Sequence, residues 1–257
     1  MTTLLTNKEE LEYFLSFIPE TQKDDILLMS LSCRNKYLTQ EERAEYQLSR
    51  LEMFERQLLT DKKLETFEYN LKKMYYSLQY RTTKNGKLYP PHATMVYFSL
   101  NPTSSIEAYF SFEKVMNEEV KLYINALRNN HSKEVYYQRF NKSYDILKSE
   151  FHKHSKAKNF VDADFDTKDF SYVERFLKYL KEKGTKYFVI ETKSGYHVVL
   201  NRQTIDKKNM FYVELGKLNC LLKREDSTKE IIMNNNGMVP LCGTNQAGFE
   251  VKVLRGV

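Results

Sequence analysis

An α+β fold is the class this sequence predicts, and three features predict it. The first is the order of elements after residue 158. "NFVDADFD" alternates polar and apolar residues as a strand, and "FSYVERFLKYLKEKG" is an amphipathic helix closed by Gly184. "KYFVIET" and "YHVVLNR" are two strands joined by a Lys-Ser-Gly turn, and "DKKNMFYVELGKLNCLLK" is a second helix before a last strand. That order, β-α-β-β-α-β, is the split βαβ unit of ferredoxin-like and RRM-like folds. The second feature is helical spacing through the first part of the chain. The third is a change near residue 66, where aromatic residues and a turn signal, "KNGK", introduce mixed α/β character. The expected organisation is a helical N-terminal region (1–65), an N-terminal α/β module with a connector (66–150), and an RRM-like unit (151–257).

Taken in order, "TNKEELEYFLSFI" opens with a cap at Thr6 or Asn7 and acids in the first turn, and Pro19 ends it. "KDDILLMSLSCRNKYL" places Ile26, Met29, Leu31 and Cys33 at roughly helical spacing. In "TQEERAEYQLSRLEMFERQLL", Thr39 and Glu42 form a capping box, and Tyr46, Leu48, Leu51, Phe54 and Leu58 continue an apolar helical stripe. "ATMVYFSLN" reads as a strand ended by Pro102, the second arm of a hairpin around Asn85–Gly86. "SSIEAYFSFEKVMNEEVKLYINAL" is helical, and the basic stretch from 128 to 158 is a connector between two lobes.

Composition bounds the function. The chain has 257 residues, enough for a sizeable core, and 41% hydrophobic with 14% aromatic content fits a folded protein. A net charge of +6 is compatible with a polyanionic partner without requiring one. Cys33, Cys220 and Cys242 are far apart and form no CxxC pair, which leaves no zinc knuckle or disulfide framework and points to a reducing compartment. The N-terminus meets acids too early for a signal peptide, and no apolar run reaches the roughly 18 residues of a membrane span. The expectation is a cytoplasmic protein with no membrane partner.

Two constellations could carry chemistry. Asp162, Asp164 and Asp166 occupy alternate positions of one strand and so project from one face, with Val161, Ala163 and Phe165 turned to the core. Three like charges at that spacing need an open aqueous face or a cation, and paired carboxylates suit a hard divalent ion shared with substrate phosphates. In "IETKSGYHVVL", His197 lies two residues after Gly195. In a split βαβ the first and third strands are central neighbours while the second takes an edge, so His197 would stand beside the Asp pair and could donate to a phosphate. A third region, "KREDSTKEIIMNNNGMVPLCGTNQAGFEV", holds Asp226 in a polar break after a helix.

Together these features resemble the archaeo-eukaryotic primase superfamily, the primase-polymerases of cellular primases, phages and plasmids. Its motifs are an apolar strand ending in DxD or DxE, a Ser-x-His motif on a following hairpin, and a third acidic motif. "FVDAD" is similar to the first, and "SGYH", with one extra residue between Ser194 and His197, to the second. "EDSTKEIIMNNNGMVPLCGT" is similar to the third region of phage members, which makes Asp226 the candidate acid. It departs from them where an Arg often precedes Pro-Gly-Thr, since Met238 or Val239 stands there.

The resemblance, over residues 159–257, implies metal ligation by Asp162, Asp164 and Asp226 and nucleotide-phosphate contacts from Ser194 and His197. It implies Mg²⁺ or Mn²⁺ as cofactor, nucleoside triphosphates as substrates and single-stranded DNA as template. The reaction would be two-metal nucleotidyl transfer in phage or plasmid replication. No GxxxxGK[ST] stretch is present, so a separate helicase would unwind DNA. The basic, tyrosine-rich stretches 72–87 and 152–158 would suit a nucleic-acid strand.

Three other readings compete. A catalytically decayed primase core would serve as a nucleic-acid-binding or regulatory protein. A small-molecule nucleotide binder or hydrolase using the same metal cluster would need no template. A rolling-circle nuclease would need His-apolar-His, whereas Lys153 separates His152 and His154.

Overall fold

The structure, a computed structural model, describes residues 4–129, 137, 140–154, 159–206, 210–234 and 237–256. Much of the connector, including residues 155–158 of the basic stretch, lies outside the described residues, as do 207–209 ahead of the second helix of the C-terminal unit.

Alternation decides the first long element. Leu27, Met29, Leu31 and Cys33 enter the core together, while Ser30, Ser32 and Arg34 belong to the opposite strand face. This segment is a strand, β1 (Asp25–Arg34), where helical spacing predicts a helix. The capping box of Thr39 and Glu42 forms as expected and starts α2 (Gln40–Tyr46). The predicted continuation to residue 59 does not follow, because Gln47 turns left-handed at φ 50° and β2 (Leu51–Leu59) begins. β2 pairs with β1 from Leu27–Leu59 to Arg34–Leu51. Pairing across the sheet satisfies both backbones and overrides the local spacing. The helical reading of 1–65 is therefore corrected. Its helices are α1 (Lys8–Phe17), capped by Asn7, and the short α2, and its two longest remaining elements are strands.

The segment after residue 63 is helix α3 (Leu64–Ser77). Gly86, at φ 76°, does turn the chain, but only an isolated Thr82–Leu88 bridge flanks it, so no hairpin leads into β3 (Thr94–Ser99). β4 (Thr103–Ser104) and one long helix, α4 (Ser105–Arg128), follow, then α5 (Ser143–Lys153).

The C-terminal half keeps its predicted order. It runs β5 (Phe160–Phe165), α6 (Phe170–Glu182), β6 (Tyr187–Glu191), β7 (Tyr196–Asn201), α7 (Phe211–Glu225) and β8 (Ile231–Asn234). Four short strands end the chain: β9 (Met238–Pro240), β10 (Asn245–Gln246), β11 (Phe249–Glu250) and β12 (Lys252–Val253). One sheet has the order β2-β1-β3-β9 with β4 also on β1, and the other has β12-β6-β7-β5-β8. Neighbouring strands in both are antiparallel. β5 and β7 are central neighbours as expected. β6 is not an edge, because β12 pairs with it at Val253–Ile190 and Lys252–Glu191.

Helices α6 and α7 cover one face of the second sheet, where Val161, Ala163 and Phe165 meet Phe176, Leu180 and Leu218. The other face of that sheet meets the first sheet's core. Phe14 of α1 packs edge-on against both Phe98 of β3 and Phe188 of β6, at ring separations of 5.8 and 6.1 Å. Asn101 joins the layers by hydrogen bonds. Its side-chain oxygen accepts from Phe160 N (3.0 Å) and its amide donates to Phe160 O (3.2 Å), all buried. Among the described residues, no helix is long and apolar enough to cross a membrane.

Candidate functional site

Register brings the two central constellations together. β5 and β7 pair with Asp164 directly opposite His197, and Asp162 lies two residues along on the same face. Farther down that face are Phe160 and Val199, which belong to the core between the sheets. The polar group thus continues the interlayer core rather than lying on an open surface. Asp162 is 1% exposed, whereas a third of the Asp164 side chain is exposed. The acids therefore do not share one solvated face.

His197 resolves their repulsion. Its Nδ1 lies 3.1 and 3.0 Å from the two oxygens of Asp162, and its Nε2 lies 3.7 Å from Asp164 Oδ1. Burial alone would lower the imidazole pKa, but the charges of Asp162 and Asp164 more than offset it and raise it to about 9. The ring is therefore protonated at neutral pH, with Nδ1–H held by Asp162. Burial, reinforced by repulsion from Asp162, raises the Asp164 pKa against the opposing pull of His197, Lys36 and Arg34.

The hairpin carrying His197 is set by its turn. Thr192 N and Oγ1 both donate to Gly195 O, at 2.9 and 3.0 Å. Gly195 presses on β5 so closely that a Cβ there would lie 1.9 Å from Phe165 O. Lys193 is tied to the β10–β11 turn through Gln246 Oε1 (2.8 Å) and Ala247 O (2.5 Å). Ser194 is thereby held over the Asp166 end of β5.

The first sheet supplies residues that sequence reasoning missed. Beyond β1, a single helical turn carries Lys36, whose Nζ lies 3.0 Å from Ser194 Oγ and 3.9 Å from Asp166 Oδ1. Arg34 donates from one terminal nitrogen to the Tyr97 hydroxyl (3.0 Å), and burial pushes that phenol pKa up to about 12. Reading residues 23–38 as a helix hid both cations. The available signal was the period-two alternation of β1, which ends on Arg34.

Asp226 is not brought to this group. It follows α7, half-buried, where its carboxylate accepts from Thr228 N (3.0 Å) and Oγ1 (2.6 Å) and pairs with Lys229 at 3.5 Å. Those hydrogen bonds lower its pKa, the Thr228 hydroxyl first. Across the β5–β8 ladder, the residue facing Asp162 is Asn234 and the one facing Asp164 is Ile232. Gly237 packs here, since a Cβ on it would lie 2.7 Å from Asn234 Cβ and 3.4 Å from Asp162 Oδ2.

Among the described residues, no group of three or more His, Cys, Asp or Glu is arranged to hold a metal ion by itself. One hard divalent ion completed by substrate oxygens and water could be met by Asp164, a third exposed, and by Asp162 only where an oxygen leaves His197 Nδ1, to which both of its oxygens are now bonded. The two acids fall short of the three that a two-ion centre would draw on. No protein-family profile, curated protein or solved structure matches the chain.

Proposed function

We propose that this protein is a nucleotidyl transferase of the primase-polymerase kind, with a ferredoxin-like catalytic unit built on β5–β8. The observation that carries the reading is His197 standing between Asp162 and Asp164 on adjacent central strands. Its Nδ1–H is engaged by Asp162, which fixes the ring. Its Nε2–H has Asp164 at 3.7 Å, too far for a good hydrogen bond, and so can donate to a phosphate oxygen. Ser194 adds a hydroxyl on the neighbouring turn. Asp164, with an oxygen of Asp162 turned from His197, would hold one Mg²⁺ or Mn²⁺, which would neutralise charge on a triphosphate as a 3′-hydroxyl attacks the α-phosphorus and pyrophosphate leaves. The template would be single-stranded DNA, with strand separation left to another protein, as in phage or plasmid replication.

A second reading is favoured by one observation: Asn234 and Ile232 stand beside the Asp pair where a further acid would be expected, and Asp226 is capped elsewhere. It is a primase-like core that binds nucleotide or nucleic acid without transfer. Primer synthesis on single-stranded DNA, with labelled nucleotides and Mg²⁺ or Mn²⁺, separates the two. The first reading expects metal-dependent products that disappear in Asp162→Ala/Asp164→Ala and fall at least 100-fold in His197→Ala, a loss of the size that general acid–base or electrostatic groups supply. Nucleotide binding without any product would decide for the second.

A further inference from the structure

We propose that Lys36 and Arg34, carried by the first sheet, bind the polyphosphate tail of a nucleoside triphosphate opposite Ser194 and His197, so that substrate spans both sheets. This rests on the reading above and adds a substrate contact from outside the catalytic unit.

Three observations lead there. Lys36 reaches from the first sheet to the second, with Ser194 Oγ at 3.0 Å and Asp166 at 3.9 Å. It therefore stands between a hydroxyl and a carboxylate on the second sheet, and a phosphate oxygen arriving at Ser194 would meet both donors. The second observation concerns Arg34. Its Nε is shielded from solvent and has no hydrogen-bond partner, while a terminal nitrogen is fixed by Tyr97. A guanidinium with a donor left over, close enough to Asp164 and His197 for its charge to act on both, is an unusual expense unless an anion completes it. The third is electrostatic. Burial disfavours the charged form of Lys36, and repulsion from Arg34 adds to it, with Asp166 and Asp164 opposing. Two like charges held together in partly buried surroundings are relieved by a polyanion.

The same arrangement explains why the contact should read phosphate number. Asp162, Asp164 and His197 gather at one place on β5 and β7, whereas Lys36 meets Ser194 beyond the end of β5, near Asp166. A monophosphate held at the Asp pair would leave Lys36 on its present partners. A triphosphate held there would extend toward Lys36 and exchange them.

The test is equilibrium binding by titration calorimetry of the full chain with a nucleoside triphosphate, the matching monophosphate and inorganic tripolyphosphate, each with Mg²⁺. Lys36→Gln should weaken triphosphate and tripolyphosphate at least tenfold and leave the monophosphate within twofold. Lys36→Arg, which keeps the charge, should retain most of the affinity. Circular dichroism would confirm folded variants, and Arg34→Lys gives an independent change at the same wall, expected to weaken triphosphate severalfold. Unchanged triphosphate affinity in Lys36→Gln, or an equal loss for the monophosphate, would overturn the proposal, as would a wild-type chain that binds neither polyphosphate. Primer synthesis is read separately. Lys36-dependent triphosphate binding without product would remove the transferase reading and leave this contact standing.

Discussion

His197 decides most of what the site can do. A buried imidazolium between two carboxylates is stable only as a set, so removing it leaves Asp162 buried and unpaired. His197→Ala should destabilise the fold by about 3 kcal/mol, in line with broken buried pairs elsewhere, measurable by urea unfolding. Its pKa also sets a pH dependence. The folded value of about 9 lies above the ordinary value of about 6.5 for an unfolded chain. The pair's contribution is therefore fully present below pH about 6.5 and lost as pH rises through about 9. Asp164, raised chiefly by burial, acts in the same direction at the acid end, since the folded state binds its proton more tightly. Without divalent ions, thermal unfolding should show the wild-type Tm falling between pH 7 and 9.5. His197→Gln should start lower at pH 6 and follow a flatter profile, and parallel profiles would contradict the assignment.

The β6–β7 hairpin shows how an element delivers a residue. Thr192 closes its turn, and Gly195 allows the turn to lie against the carbonyl of Phe165. Gly195 has ordinary backbone angles, so the need for glycine comes from space and not from conformation. Gly195→Ala should cost about 3 kcal/mol, the upper range for overpacking against backbone. It should also reduce nucleotide binding more than Gly216→Ala, where a Cβ on α7 meets nothing within 4 Å. Equal behaviour of the two variants in unfolding and binding would show that the close approach carries no weight. The same element explains part of what was legible. "VDADF" and "YHVVL" alternate cleanly, and strong alternation fixes which side chains share a face. "ILLMSLSCR" also alternates, but its apolar residues match helical spacing as well, and only pairing with β2 and β3 settles the choice.

At the level of the whole chain, Asn101 is a buried polar link between the two sheets. Its amide mimics a strand partner for Phe160 at the start of β5. Asn101→Leu would bury an unsatisfied N–H and carbonyl and should lower stability by about 3 kcal/mol, at the upper end of the cost of such orphaned groups. A single cooperative transition by circular dichroism and tyrosine fluorescence is expected for the wild type, because Phe14 packs on both sheets and β9 returns from the C-terminal region to pair with β3. Two separated transitions would argue that the layers fold independently.

Local pattern was enough to assign the β-α-β-β-α-β order, the helix caps at Thr39 and at Thr6 or Asn7, and the inward and outward faces of β5. These depend on residues a few positions apart, where periodicity and capping chemistry act directly. It was also enough to nominate Asp162, Asp164, Ser194 and His197. Tertiary structure alone decided that β1 and β2 are strands, that β12 covers β6, and that Asp226 stays with Thr228 while Asn234 faces Asp162. It also brought Lys36 within reach of Ser194, 158 residues later in the chain. The physical reason is common to all of them. Strand pairing, burial and cross-sheet charge are made between distant residues, and their free energies outweigh the small local preferences that a linear pattern reports.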